Sequence, residues 1–197
     1  MKFLFDLGGV FFDWDPHYFF KNIFNTSEER HYFLNEICND EWNIMQDSGR
    51  TIEDAEYELI SKFPKYEKYI KMYYKNHRKM IRGTFDQSIK MLENLKLNNF
   101  DCYVLSNWSA ETFKGMIDDY PFLKLFDGLI ISGEDKLIKP DRAIYELAIN
   151  RFNLVAKETI FIDDKLENIN AAKQLDFITI HLIDPRNIEL EINKILM

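Results

Sequence analysis

Asp6, the pair Ser106 and Asn107, and the pair Asp163 and Asp164 close three short apolar runs: "FLFDLGG" at 3–9, "CYVLSNWS" at 102–109 and "IFIDDKLEN" at 160–168. A carboxylate at the end of a buried run is costly unless something pairs with it. If the three runs are neighbouring strands, their ends bring Asp6, Asp163 and Asp164 to one rim, where the carboxylates repel unless a cation sits among them. Oxygen-only ligands from carboxylates and a backbone carbonyl specify a hard ion, and Mg2+ is the ion expected. A further positive charge comes from Lys139 in "IKPDRAIYELAI", just ahead of Pro140, with Asp141 as the expected cap of the helix that follows. Mg2+ and Lys139 then balance the charge of Asp6, Asp163 and Asp164, so a phosphate dianion could approach without large repulsion.

The elements that must position these residues are legible in the same runs. They are β-rich and do not alternate, as expected of parallel strands buried on both faces. "GLIIS" at 128–132 and "ITIHLI" at 178–183 have the same apolar character without the polar ending. Strand and helix in repeated succession predict an α/β fold, a doubly wound parallel sheet, in which ligands bind beyond the carboxyl ends of the strands. Between the first and second strands the pattern is helical throughout: "PHYFFKNIF", then "TSEERHYFLNEIC" with Thr26 and Glu29 at capping-box spacing, "TIEDAEYELISKF" opening at Thr51, and "KYEKYIKMYYKNHRKMI". That is too much for one crossover helix. The expectation is an inserted all-α cap subdomain at 16–82, lying over the strand ends as a lid, with 1–15 and 83–197 forming the core. The alternative is an all-α second domain unrelated to the site. Beyond Gly83, "DQSIKMLENLKLNNF" predicts the helix that returns the chain to the second strand, and "IELEINKILM" a short amphipathic helix or strand.

Composition narrows the function classes. The 197 residues are 46% hydrophobic, enough for a full core, and 33 acidic against 25 basic residues give a net charge of −8 without long runs of either sign, so no nucleic-acid partner is expected. Cys38 and Cys102 lie far apart without metal-type spacing and read as reduced core residues of a cytoplasmic protein. Asp6 interrupts the apolar N-terminus and no small-residue cleavage site follows, so no signal peptide is expected. No stretch approaches the roughly 18 uncharged apolar residues of a membrane span. The expected partner is a small molecule, and the composition leans towards a monomer.

In order along the chain, "FDLGGV", "VLSNWS", "IKPD" and "FIDDKLEN" resemble the four motifs of the haloacid dehalogenase superfamily of aspartate-nucleophile hydrolases, with a helical cap of the C1 type between the first two. Each motif alone is weak; four in order over the whole chain are specific. The resemblance implies a phosphatase in which Asp6 is the nucleophile, attacking phosphorus and forming an aspartyl-phosphate that water hydrolyses. It implies that Ser106 bonds a phosphoryl oxygen with Asn107 beside it, and that Lys139 neutralises charge on nucleophile and phosphate. Asp163 and Asp164 would hold Mg2+ with Asp6 and the Gly8 carbonyl, and Asn168 would orient the ligands. Leu7, Gly8 and Gly9 would bring backbone close to the phosphate oxygens.

The first motif also departs from the pattern. Most phosphatases of this superfamily carry a second aspartate two residues after the nucleophile, as acid for the leaving alcohol, and here that position is Gly8. Its loss predicts a slow enzyme, a good leaving group, or a proton from elsewhere. Members similar to glucose-1-phosphate phosphatases share this "DLG" pattern, which brings in sugar phosphates as substrates. Asp13, Asp15 and His17 in "DWDPH" are weighed as substitutes, against their ordinary use in capping a turn or helix. Trp42 and Asp47 are candidates for lining the pocket from the cap, Trp42 also for its core, and the tyrosines of "KYIKMYYKNH" read as a helix face. Two other functions remain open. "LSNWSAETF" is similar to the 2-haloacid dehalogenases, which need no metal, although two adjacent acids in "IDDK" would only repel a carboxylate substrate. A non-catalytic phosphate-ester binding protein is the other, against which the intact Asp6 and Lys139 count.

Overall fold

Strand β1 (Lys2–Phe5) buries Phe3, Leu4 and Phe5 completely, which needs a sheet covered on both faces. A computed structural model describes residues 1–196 of the chain. The further strands are β2 (Phe12–Trp14), β3 (Ile81–Thr84), β4 (Asp101–Ser106), β5 (Gly128–Ile131), β6 (Thr159–Asp163) and β7 (Ile178–His181). Five of them form one parallel sheet in the order β5-β4-β1-β6-β7. The chain builds outward from β1 on one side through β4 and β5, then crosses to β6 and β7, so the carboxyl end of β1 lies at the point where the winding reverses, the position at which such sheets bind ligands.

The helices are α1 (Pro16–Phe20), α2 (Ser27–Tyr32), α3 (Asp40–Asp47), α4 (Ile52–Lys62), α5 (Glu67–Lys75), α6 (Asp86–Leu97), α7 (Ala110–Phe113), α8 (Met116–Asp119), α9 (Ser132–Asp135), α10 (Arg142–Arg151), α11 (Leu166–Lys173) and α12 (Ile188–Leu196). On one face of the sheet Phe3, Phe5, Val104 and Ile160 pack with Met91 and Leu92 of α6 and with Ile188 and Ile192 of α12. On the other, Leu4, Leu105 and Phe161 pack with Ile144 and Tyr145 of α10 and with Ile169 and Ala172 of α11. Alternate residues of one strand therefore serve two cores, and the fold is the doubly wound α/β type. Helices α1 to α5 enclose a separate core around Phe20, Phe33, Trp42, Leu59 and Tyr73. Trp14 packs against both this core and the sheet's.

Local chemistry accounts for the helix starts. Thr26 Oγ1 accepts the Glu29 amide, Thr51 Oγ1 accepts that of Asp54, and Asn39 Oδ1 caps α3 through the Trp42 amide. Asp141 holds the cap position of α10 in extended backbone, with no hydrogen bond from its side chain. Three segments differ from the sequence reading. The helix opening at Thr26 ends at Tyr32 and continues as a π turn over Phe33–Ile37. The "KYEKYIKMYYKNHRKMI" helix covers only Glu67–Lys75 before a 3-10 turn at His77–Met80. Gly83 is no simple exit: it pairs with Asp13 in the antiparallel ribbon of β2 and β3, which joins the helical unit to the sheet.

Candidate active site

The C-terminal end of β1 carries the sheet's polar centre. Asp6 is 7% exposed, and its amide donates to the Ile162 carbonyl, continuing the β1–β6 ladder one residue past the strand. From β4, Ser106 Oγ donates to Asp6 Oδ1 at 2.7 Å. Lys139 Nζ lies 3.0 Å from the same oxygen and 2.6 Å from Asp163 Oδ2. Burial alone would strip the charge from Lys139, but Asp163 and Asp6 outweigh it and its pKa rises. At the end of β6, Asp163 is fully buried and accepts from Lys139 Nζ, the Lys165 amide and, on both oxygens, Asn168 Nδ2. Asn168 thus meets Asp163, the neighbour anticipated for it.

Asp6, Asp163 and Asp164 each turn a carboxylate oxygen to within 4.8 Å of the others'. Burial, with Asp6 and Asp163 nearby, pushes Asp164 up to about 7. The His181 ring meets the Asp164 carbonyl at 2.9 Å and steadies its backbone. A buried cluster of oxygens without nitrogen or sulfur donors fits a hard divalent cation, which would relieve this repulsion. Gly9 has a φ of +67°, and a Cβ there would stand 2.4 Å from Asp164 Oδ2, so the loop after β1 requires glycine to pass this carboxylate. Gly8 borders the cavity, and a Cβ built on it meets nothing within 4 Å.

Asn107 borders the same cavity, and its side chain also braces the site. Its Nδ2 donates to the Lys139 carbonyl at 2.9 Å and its Oδ1 accepts the Lys139 amide at 2.8 Å, so it anchors the lysine's backbone. Leu7 is fully buried, and its carbonyl accepts the amides of Phe11 and Phe12 to close the loop after β1. Asp15 caps α1 and contacts His17, while Asp13 accepts from Tyr18 Oη and pairs with Arg82. Trp42 belongs to the helical core, its indole donating to the Ala55 carbonyl.

A cavity of about 280 Å³ opens between this floor and the helices above. Its walls include Phe12, Trp14, Ile44, Tyr74, Phe85 and Trp108, and Asp47 also borders it. Tyr74, read as a helix-face residue, reaches this wall because Gln46 Nε2 donates to its hydroxyl and the hydroxyl donates to Asn43 Oδ1. Ser132 escaped the sequence reading although it ends the apolar run "GLIIS". Its Oγ donates to the Asp47 carbonyl at 2.6 Å and accepts the Trp108 amide at 2.9 Å, joining α3 to the loop after β4. Glu111 of α7 likewise accepts the Ile52 amide at the start of α4.

Residues 3–181 match the haloacid dehalogenase-like hydrolases, and the chain belongs to that family. It is 28% identical over 181 residues to the sesquiterpene phosphatase astK of Aspergillus oryzae, covering 92% of this chain and 89% of that protein. It is 26% identical over 172 residues to the glyceraldehyde 3-phosphate phosphatase of Methanocaldococcus jannaschii, covering 83% of this chain and 72% of that one. In fold it matches a HAD family enzyme of Bacteroides thetaiotaomicron solved with magnesium and inorganic phosphate: TM-score 0.69, 23% identity, 91% of this chain and 92% of the other. Among the described residues, no helix is long and apolar enough to cross a membrane.

Proposed function

We propose that the protein is a Mg2+-dependent phosphatase that hydrolyses small phosphorylated metabolites through an aspartyl-phosphate on Asp6. The observation that carries this reading is the Asp6 carboxylate at the end of β1, its Oδ1 held by both Ser106 and Lys139 where the residue borders an open cavity. A carboxylate fixed in this way needs no reorganisation to meet a phosphorus atom in line. The Asp6 oxygen forms the new bond to phosphorus and the alcohol departs; water then attacks the phosphorus and releases Asp6 and inorganic phosphate.

Asp6, Asp163, Asp164 and the Gly8 carbonyl would hold Mg2+, with Asn168 fixing Asp163. When bound, the ion supplies positive charge against the repulsion between nucleophile and phosphate. Lys139 supplies a second, Ser106 turns its hydroxyl to a phosphoryl oxygen, and the amides of Leu7 and Gly8 face the same group. Residues 16–82 serve as the lid. The aromatic walls support an alcohol with an apolar body over a bare sugar, and the similarity to a sesquiterpene phosphatase agrees with that choice. Cys38 and Cys102, free and buried, support a reducing, cytoplasmic setting.

The test is release of inorganic phosphate from a panel of terpenyl, sugar, nucleotide and acyl phosphates, with Mg2+ or EDTA, for the unmodified chain and Asp6→Asn. Turnover is expected with Mg2+, best on the apolar esters, and a loss of at least about 10⁴-fold in the variant, the scale on which removing a nucleophile acts. Turnover that survives both EDTA and Asp6→Asn overturns the reading.

A further inference from the structure

An alcohol leaving a phosphate ester departs as an alkoxide unless a proton reaches the bridging oxygen, and general acid catalysis contributes about 10²–10⁴-fold. On the floor of the cavity the ionisable groups are committed to other tasks. Asp6 and Asp163 are engaged with Lys139, whose ammonium lies between them. Asp164 belongs to the carboxylate cluster that a cation would fill. Gly8 offers only empty space. On the walls, Asp13 is taken by Arg82 and Tyr18, and burial pushes His77 down to about 4, leaving a neutral imidazole, which is a weak acid.

Asp47 is placed differently. It ends α3 on the cavity side, bordering the same space as Asp6 and Gly8. Its carbonyl is held by Ser132 Oγ, which also accepts the Trp108 amide, so the end of α3 is fastened to the loop just after Ser106. Gly49, with a φ of +98°, lets the chain turn tightly after α3; a Cβ there would stand 2.7 Å from Lys136 Cγ. Burial pushes the Asp47 carboxyl up to about 7 against the pull of Lys165 and the Ser109 amide, and Asp6 adds to the rise. The C-terminal end of a helix also disfavours a negative charge. The group therefore retains a proton near neutral pH.

We propose that Asp47, reaching down from the helical unit, is the general acid that protonates the leaving alcohol, in the space that Gly8 leaves empty. The proposal rests on the phosphatase reading. As the Asp6 oxygen bonds to phosphorus, the bridging P–O bond breaks, its electron pair stays on oxygen, and the Asp47 proton joins that oxygen, so the alcohol leaves neutral. In the second step water attacks the phosphorus of the aspartyl-phosphate, passes a proton back to the Asp47 carboxylate, and the bond from phosphorus to Asp6 breaks. One proton is lent and returned per turnover.

The experiment compares an alkyl phosphate, whose alcohol needs a proton, with 4-nitrophenyl phosphate, whose leaving group departs without one. Asp47→Asn keeps the shape of the side chain but carries no acidic proton. Its kcat is expected to fall about 10²–10³-fold on the alkyl ester and less than tenfold on the activated one. Adding Gly8→Asp to that variant, into space that accepts a side chain, is expected to restore at least tenfold on the alkyl ester alone. Equal losses on both esters, or none on the alkyl ester, overturn the role of Asp47 and leave the phosphatase reading intact. Absence of turnover of either ester by the unmodified chain overturns the phosphatase reading, and this proposal with it.

Discussion

The floor and the roof of the cavity are built on opposite principles. On the floor the central polar atoms are spoken for: Lys139 holds Asp6 and Asp163, Asn168 holds both oxygens of Asp163, and Asn107 holds the backbone of Lys139. At the joint with the roof, the indole nitrogens of Trp14 and Trp108 and Nδ1 of His77 are buried without hydrogen-bond partners. The His77 ring lies 6.0 Å from that of Trp14 and 5.7 Å from that of Trp108. The floor is a preorganised charge network; the roof supplies apolar shape and, at the end of α3, the carboxyl of Asp47. The contrast teaches where substitutions hurt: on the floor through unpaired charge, at the joint through packing and protonation.

The largest effect is expected from Lys139→Met. Removing one member of a buried ionic network leaves the rest uncompensated, at a cost of about 3–5 kcal/mol. Urea denaturation in EDTA, where no added cation can take the lysine's place, should show a loss of that size together with loss of turnover. A loss below about 1 kcal/mol would mean that the floor is not organised by charge.

A smaller effect separates two neighbouring glycines. Gly9→Ala puts a methyl group into left-handed backbone against Asp164, with an expected cost of about 1–3 kcal/mol and weaker Mg2+ binding, since the carboxylate must move. Gly8→Ala has free space and an ordinary φ, so its stability should change by less than about 1 kcal/mol. Thermal unfolding and calorimetric Mg2+ titration of the pair would check both, and equal behaviour would break the distinction.

The joint should show itself in pH dependence. His77 takes a proton near its ordinary 6.5 when unfolded but only near 4 when buried, so the unfolded state binds more protons in that window. Unfolding free energy should therefore rise as pH increases from about 4 to 6.5, with His77 contributing up to roughly 3 kcal/mol. His77→Phe keeps a ring between the two tryptophans and should flatten that part of the slope. An unchanged slope would exclude His77 as its source.

Much of this was legible in the sequence, for identifiable reasons. Five apolar runs appear as the five parallel strands because a strand buried on both faces cannot alternate. Thr26 and Thr51 mark helix starts because their hydroxyls satisfy free amides. The ribbon of Phe12–Trp14 with Ile81–Thr84 was not legible: three or four residues with a register shift at Asp13 and Trp14 carry no periodicity. The anchoring bonds of Asn107 were not legible, because the sequence puts it beside Ser106 but cannot show that its amide turns to the backbone of Lys139. The roof was the least legible part, since its members come from separate elements and meet only when α3 docks on Ser132.

The most direct test of the central claim is to quench the unmodified protein during turnover of a phosphate ester in Mg2+ and map the covalent phosphoryl group by peptide mass spectrometry. The expected result is one phosphoryl group on the peptide containing Asp6, absent in Asp6→Asn. Sustained phosphate release with no phosphoryl group on Asp6 at any quench time, or with the group on another residue, would contradict it.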